Sequence, residues 1–136
     1  PLCGEIVEAR EDGRLIAENN CWAVLAPYAS RFPYQTRLVP LAHQYGIDAS
    51  TDAQLEDLAE MLPSVLRAIS RVLDDPPFNL FIHCAPCDGA DYEHYHWRIE
   101  IIPRGERGAG FELSTGIYID VTAPEEAAAR LGEAMG

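Results

Sequence analysis

The chain has 136 residues, a hydrophobic fraction of 48% and a formal net charge of −12. That length supports one sizeable core, so a single domain over residues 1–136 is expected. The acidic balance argues against a general nucleic-acid binder, which needs a basic surface, and no apolar run is long enough to cross a membrane as a helix.

Cys3 opens the chain, and no element is assigned before the turn at Glu11-Asp12-Gly13. Arg14 to Glu18 reads as a strand, Asn19-Asn20 as a turn, and Cys21 to Ala26 as the returning strand of a hairpin. Residues 27–33 form a loop carrying Arg31. Tyr34 to Val39 is a third strand, ended by Pro40, with His43 in the loop beyond. Thr51-Asp52-Ala53-Gln54 is a capping box. It opens a long amphipathic helix with apolar positions Leu55, Leu58, Ala59, Leu62, Val65, Leu66, Ile69, Val72 and Leu73. Pro63 lies inside this helix and removes one backbone bond, so a kink is expected.

Phe78 to His83 is a strand, and Cys84 to Gly89 a loop. The stretch from Glu93 to Arg104 reads as a strand with two unlike faces. Tyr95, Trp97, Ile99 and Ile101 form the apolar face; His94, His96, Arg98 and Glu100 form the other. A row of imidazoles, a guanidinium and a carboxylate can hold a metal or a phosphate, or can be the solvated face of an antiparallel sheet. Gly105 to Gly110 is a loop carrying Arg107, and Ile117 to Val121 a short strand. Thr122-Ala123-Pro124-Glu125 is a second capping box, leading into a terminal helix. The order β-β-β-α-β-β-β-α specifies an α+β domain with a mostly antiparallel sheet of about five to six strands, one long helix and one C-terminal helix.

All ten basic residues are arginines. Any phosphate contact from a basic side chain therefore uses the two-pronged guanidinium. Arg31, Arg104 and Arg107 are candidates by charge. The cysteines are Cys3, Cys21, Cys84 and Cys87. Nothing resembles a secretory signal, so reduced thiols and a cytoplasmic location are expected. Cys21 reads as a buried apolar residue. Because the chain begins with Pro1 rather than Met, a processed chain or a fragment of something longer is expected.

Several stretches carry a resemblance in collinear order. They are residues 26–34, Leu38-Val39-Pro40-Leu41-Ala42-His43, Pro77-Phe78-Asn79, Ile82-His83-Cys84-Ala85-Pro86, His96 to Arg104, Ala109-Gly110-Phe111-Glu112, and Ala123 to Ala128. Together they resemble the C-terminal half of the galactose-1-phosphate uridylyltransferase family, in the histidine-triad (HIT) superfamily. The resemblance implies a HIT-like fold. It also implies a two-domain nucleotidylyltransferase that moves a nucleotide from a nucleoside diphosphate sugar to a sugar 1-phosphate. The nucleophile of such enzymes is an imidazole in a His-Pro-His-x-Gln motif, which is absent here. The matching triad positions are His96, Arg98 and Glu100. A guanidinium that stays protonated cannot attack phosphorus, so the resemblance makes this the non-nucleophilic half, with no catalytic residue of its own.

The same resemblance implies substrate contacts from Arg98, Glu100, Gly110, Phe111 and Glu112; Arg104 is a substrate-contact candidate by charge, and His83, at a strand end, can hydrogen-bond a ligand phosphate or ribose or be an ordinary strand-end histidine. The resemblance also implies a structural zinc held by Cys3, His43 and His96, with the partner of Cys3 in a Cys-x-x-Cys pair falling just before Pro1. A further metal site used by some relatives, at the positions of His83, Arg98 and Glu100, is not expected because Arg98 cannot ligate. Cys84 and Cys87, with His94 or His96, are a second zinc set by residue type, set against an ordinary loop. Expected partners are a nucleoside diphosphate sugar and a sugar 1-phosphate, reached through an N-terminal half, and a second copy in a homodimer; neither nucleic acid nor membrane is expected. The alternative is a degenerate HIT fold serving metal binding or dimerisation without catalysis. Residues upstream of Pro1 would discriminate the two.

Overall fold

The computed structural model describes residues 2–105 and 122–136. Among these residues, five strands form one antiparallel sheet in the order β1-β2-β3-β5-β4. The elements in chain order are α1 (Leu2–Asp12), β1 (Leu15–Glu18), β2 (Trp22–Leu25) and β3 (Thr36–Pro40). A short 3-10 turn (Ile47–Ala49) and α2 (Asp52–Leu73) follow, then β4 (Phe78–His83), β5 (Arg98–Pro103) and α3 (Pro124–Met135). The expected strand from Ile117 to Val121 lies outside the described residues.

Strand alternation divides the core in two. Trp22, Val24, Leu38, Trp97, Ile99 and Ile101 face α2 and α3, meeting Leu58, Met61, Val65, Ile69 and Leu131. Trp22 and Trp97 pack edge-to-face at 5.2 Å between ring centroids, the arrangement favoured by the ring quadrupoles. On the opposite face Ala23, Leu25 and Val39 meet Ile6 and Ala9 of α1. Helix α1 thus covers the second face beside β2 and β3. The β5–β4 side of that face is the setting of a cleft described below.

Helix α2 starts where its capping box predicts. Gln54 N donates to Thr51 Oγ1, and Thr51 N donates to Gln54 Oε1. Pro63 sits within the continuous helix. The buried stripe includes Met61 and Ala68, whereas Leu55 and Ala59 of the expected stripe are exposed. The hairpin turn also forms as expected. Asn19 Oδ1 accepts from the backbone N–H groups of Cys21 and Trp22, the side-chain turn chemistry typical of Asn.

Four expectations are corrected. Helix α1 has no counterpart in the sequence reading: its buried residues Ile6 and Ala9 are set among charged and small ones, and packing on the sheet stabilises it. Strand β3 begins at Thr36 rather than Tyr34 and takes in Pro40, which ends it, as its last residue opposite Trp22. The strand read from Glu93 begins only at Arg98, because Tyr95 N donates to Tyr92 O and closes a turn first. Helix α3 is capped by Ala123, with no side-chain cap bond and Pro124 in its first turn, so Thr122 does not form a capping box there.

Candidate metal centre and anion cleft

Two groups of side chains meet on the α1 side of the sheet. The first joins Cys3 on α1, His43 after β3, and His96 just before β5. Cys3 Sγ lies 3.2 Å from His43 Nε2 and 3.3 Å from His96 Nε2. The three donor atoms lie within 4.8 Å of one another. The neighbouring backbone explains this convergence. Gln44 N donates to Tyr95 O, and Trp97 N donates to Gln44 O, a parallel bridge of Gln44 with His96. His43 is thereby brought alongside His96, with ring centroids 4.5 Å apart. Cys3 arrives because Ile6 and Ala9 seat α1 on β2 and β3.

His96 is 2% exposed, and its Nδ1 is 2.8 Å from the carbonyl oxygen of Pro40. A carbonyl only accepts, so Nδ1 carries the proton and Nε2 offers its lone pair toward Cys3. Burial holds the His96 imidazole below its usual pKa, reinforced by the nearby His43, although the Pro40 carbonyl acts in the opposite direction. The neutral ring is the form that ligates metals. A fixed second nitrogen is the usual outer support of a metal-bound histidine. One thiol and two imidazoles suit zinc, and leave one position of a four-coordinate set to a further ligand. The residues present therefore fit a structural zinc, which would tie α1 to the segments flanking β3 and β5.

Among the described residues this is the one group of three or more His, Cys, Asp or Glu donors close enough to share an ion. The Cys84–Cys87 pair does not join such a group; both thiols are free and exposed. His94 is exposed in the turn, its ring 5.6 Å from that of His43. Cys21 lies just before β2, half-buried rather than in the strand interior. A hydrogen bond to Asp57 raises its pKa, with burial adding to the effect.

The second group lines a cleft of about 450 Å³ built by β3, β4, β5 and the loop before β3. Sheet register sets its order. Arg37, Glu100 and Phe81 stand in one cross-strand row, and His83 stands opposite Arg98. Glu100 is 4% exposed. Its Oε1 accepts from Arg37 Nε at 2.6 Å and from Arg98 Nε at 3.0 Å, and its Oε2 accepts from Gln35 Nε2 at 3.2 Å. Arg37 Nη1 continues to Glu5 of α1 at 2.5 Å. A buried carboxylate is tolerated because it is paired and hydrogen-bonded. The arrangement can present an oriented guanidinium to an anion.

Of the residues named from the sequence, His83, Arg98 and Glu100 share this cleft, together with Arg31. Arg104 does not line it; it follows β5, exposed, with its backbone N–H on Pro77 O. Gly110, Phe111, Glu112 and Arg107 lie outside the described residues. Arg37 and Glu5 were missed. Arg37 was detectable as the one charged residue in the strand Tyr34 to Val39, where a charge facing a core must find a partner. Nothing in the sequence pairs Glu5 with it.

No protein-family model matches the chain. Over 125 residues it is 30% identical to an ADP-glucose phosphorylase from Arabidopsis thaliana, covering 90% of this chain and 36% of the relative. Over 126 residues it is 30% identical to a galactose-1-phosphate uridylyltransferase from Haemophilus influenzae, covering 87% of this chain and 36% of the relative. The chain thus spans little more than a third of these relatives, matching their C-terminal part. The solved Arabidopsis thaliana ADP-glucose phosphorylase with bound ADP-glucose superposes with a TM-score of 0.84 at 30% identity, over 97% of this chain and 42% of that one. A zinc-bound histidine triad family protein from Mycobacterium smegmatis superposes with a TM-score of 0.69 at 18% identity, over 98% of this chain and 91% of that one. That last likeness establishes the fold alone.

Proposed function

Given that this chain is a HIT-like homologue of the C-terminal part of the galactose-1-phosphate uridylyltransferase family, we propose that it is the non-nucleophilic half of a nucleotidyltransferase. The enzyme would transfer a nucleotidyl group between a nucleoside diphosphate sugar and a sugar 1-phosphate. The observation that carries this reading is the cleft in which Arg98 stands opposite His83 and is oriented by Glu100. Arg98 takes the central position of the triad, and its charge suits it to hold a phosphate rather than attack one. Donors aimed at phosphate oxygens lower the barrier to phosphoryl transfer when they are held in place beforehand. The nucleophilic imidazole would come from the N-terminal half of the whole protein. Arg104, Gly110, Phe111 and Glu112 belong to the same proposed surface as further substrate contacts.

Zinc at Cys3, His43 and His96 would be structural in this reading. Its chemistry there is to cross-link α1 to the sheet; the protein's own residues hold Arg98. Among the described residues strand β4 is an outer strand of the sheet, and its Phe78, Leu80, Phe81 and Ile82 are each more than a third exposed. That apolar edge supports packing against a second HIT-like half or a second copy. A cytoplasmic setting is consistent with four free thiols.

The test is nucleotide binding by calorimetry on the whole protein that carries this chain, comparing Arg98→Ala with the parent. The variant is expected to bind uridine diphosphate glucose or ADP-glucose at least about tenfold more weakly, the loss typical of a charge-assisted bond. Unchanged affinity would favour the second reading, a HIT-fold module for metal binding or dimerisation. The exposed β4 edge is the observation that keeps that reading in play.

A further inference from the structure

We propose that Glu5 is a charge-setting residue for the cleft: through Arg37 and Glu100 it determines how strongly Arg98 attracts an anion. This rests on the reading of the cleft as a phosphate site. Four charged groups form one connected line. Glu5 holds Arg37 at 2.5 Å, Arg37 holds Glu100 at 2.6 Å, and Glu100 holds Arg98 at 3.0 Å. Two carboxylates and two guanidiniums cancel. The line is largely withdrawn from water: side-chain exposure is 19% for Glu5, 16% for Arg37, 6% for Glu100 and 26% for Arg98. Charges so placed are weakly screened, so each one is felt along the whole line.

Arg98 is the most exposed member and the one at the open end. Glu5 is the only member contributed by a helix rather than by the sheet. It divides Arg37 between two carboxylates. With Glu5 neutral, Arg37 is left to Glu100 alone, Glu100 holds Arg98 less strongly, and the line gains one net positive charge. An incoming phosphate then meets a guanidinium that is freer and a cleft that is more positive. Native Glu5 works against this. It keeps the four-group line neutral, so that a bare anion gains less from Arg98 and a ligand must bring further contacts to bind well. Glu5 is a positioning residue in this sense, acting on Arg98 through Arg37 and Glu100 without touching the ligand.

The experiment measures binding of uridine diphosphate and of inorganic phosphate to the whole protein by calorimetry, at low and at high ionic strength. Parent, Glu5→Gln, Arg37→Gln, the Glu5→Gln/Arg37→Gln double variant and Arg98→Ala are compared, each with a thermal melt. Glu5→Gln should bind both anions about three- to tenfold more tightly at low salt, with the gain shrinking at high salt. Arg37→Gln should bind more weakly, and the double variant should bind more tightly than Arg37→Gln. Damage to packing would instead weaken binding in every variant and accumulate in the double one. Unchanged or weaker binding by Glu5→Gln overturns the proposal. If Glu5→Gln loses its melting transition, the comparison of the double variant with Arg37→Gln decides, and weaker or equal binding by the double overturns the proposal. Arg98→Ala separates the two readings. If it binds as the parent does, the phosphate site itself is wrong. If it binds weakly while Glu5→Gln gains nothing, only the role of Glu5 is wrong.

Discussion

His96 and Arg98 are two residues apart, yet they serve different neighbours. His96 Nε2 lies 3.3 Å from Cys3 Sγ, while Arg98 Nε donates to Glu100 at 3.0 Å. The short segment before and into β5 therefore supplies both the candidate metal centre and the candidate anion cleft. Helix α1 borders both, through Cys3 and Glu5.

Removing a ligand should empty the metal centre. Cys3→Ser and His43→Ala are each expected to lower zinc affinity beyond the ~10–100-fold lost when only an outer partner of a metal ligand is removed. Zinc content after purification, with a competing chromophoric chelator, measures this. Retention of one zinc per chain in both variants would rule out the three-residue set.

Acid should destabilise the metal-free protein through His96. Burial puts its folded pKa below the reference value of 6.5, so the unfolded state binds more protons in the window between the two values. The stabilisation is fully present above about 6.5 and is lost as pH falls through the folded value. Chelator-treated protein is expected to melt at a lower temperature at pH 5 than at pH 8. In His96→Gln that dependence should be smaller, and an identical pH slope in the variant would assign the effect to other groups.

Thiol reactivity should separate the four cysteines. Cys84 and Cys87 are exposed and are expected to alkylate first. Cys21 should be slow, because Asp57 and burial keep its thiol protonated and the thiolate is the nucleophile. Cys3 should become reactive only when a chelator is added. Peptide mass spectrometry after timed labelling reads the order. Early labelling of Cys3 in zinc-loaded protein would contradict the metal assignment.

The paired tryptophans should carry much of the core. Trp97 is fully buried against Trp22 and donates its indole N–H to Gln44 Oε1. Trp97→Ala leaves a large cavity, and about 3–5 kcal/mol of destabilisation is expected from urea unfolding. It also removes the indole bond to Gln44 and the packing behind the segment that carries His43 and His96, so zinc affinity should fall with it. Normal zinc binding in a destabilised variant would uncouple the core from the centre.

Local chemistry made several elements legible in advance. The Thr51–Gln54 box and the apolar period set α2, Asn19 set the hairpin turn, and β4 appeared at its predicted position. The alternation from Trp97 to Ile101 correctly separated a core face from a face carrying Arg98 and Glu100. These signals depend on neighbours a few residues apart, so they are written in the order of residues. The family resemblance added that Cys3, His43 and His96 belong together, which no local pattern implies across 93 positions.

Tertiary structure alone decided the rest. Helix α1 exists because Ile6 and Ala9 find the face of β2 and β3, a contact invisible in a short segment of mixed charge. His96 became a buried imidazole with a fixed tautomer because the carbonyl of Pro40, at the end of β3, lies beside it. Arg37 entered the cleft because sheet register set it opposite Glu100, and Glu5 reached Arg37 because α1 packs beside β3. Register and layer packing are long-range choices. They are made by burial summed over the whole core, and no stretch of a dozen residues contains them.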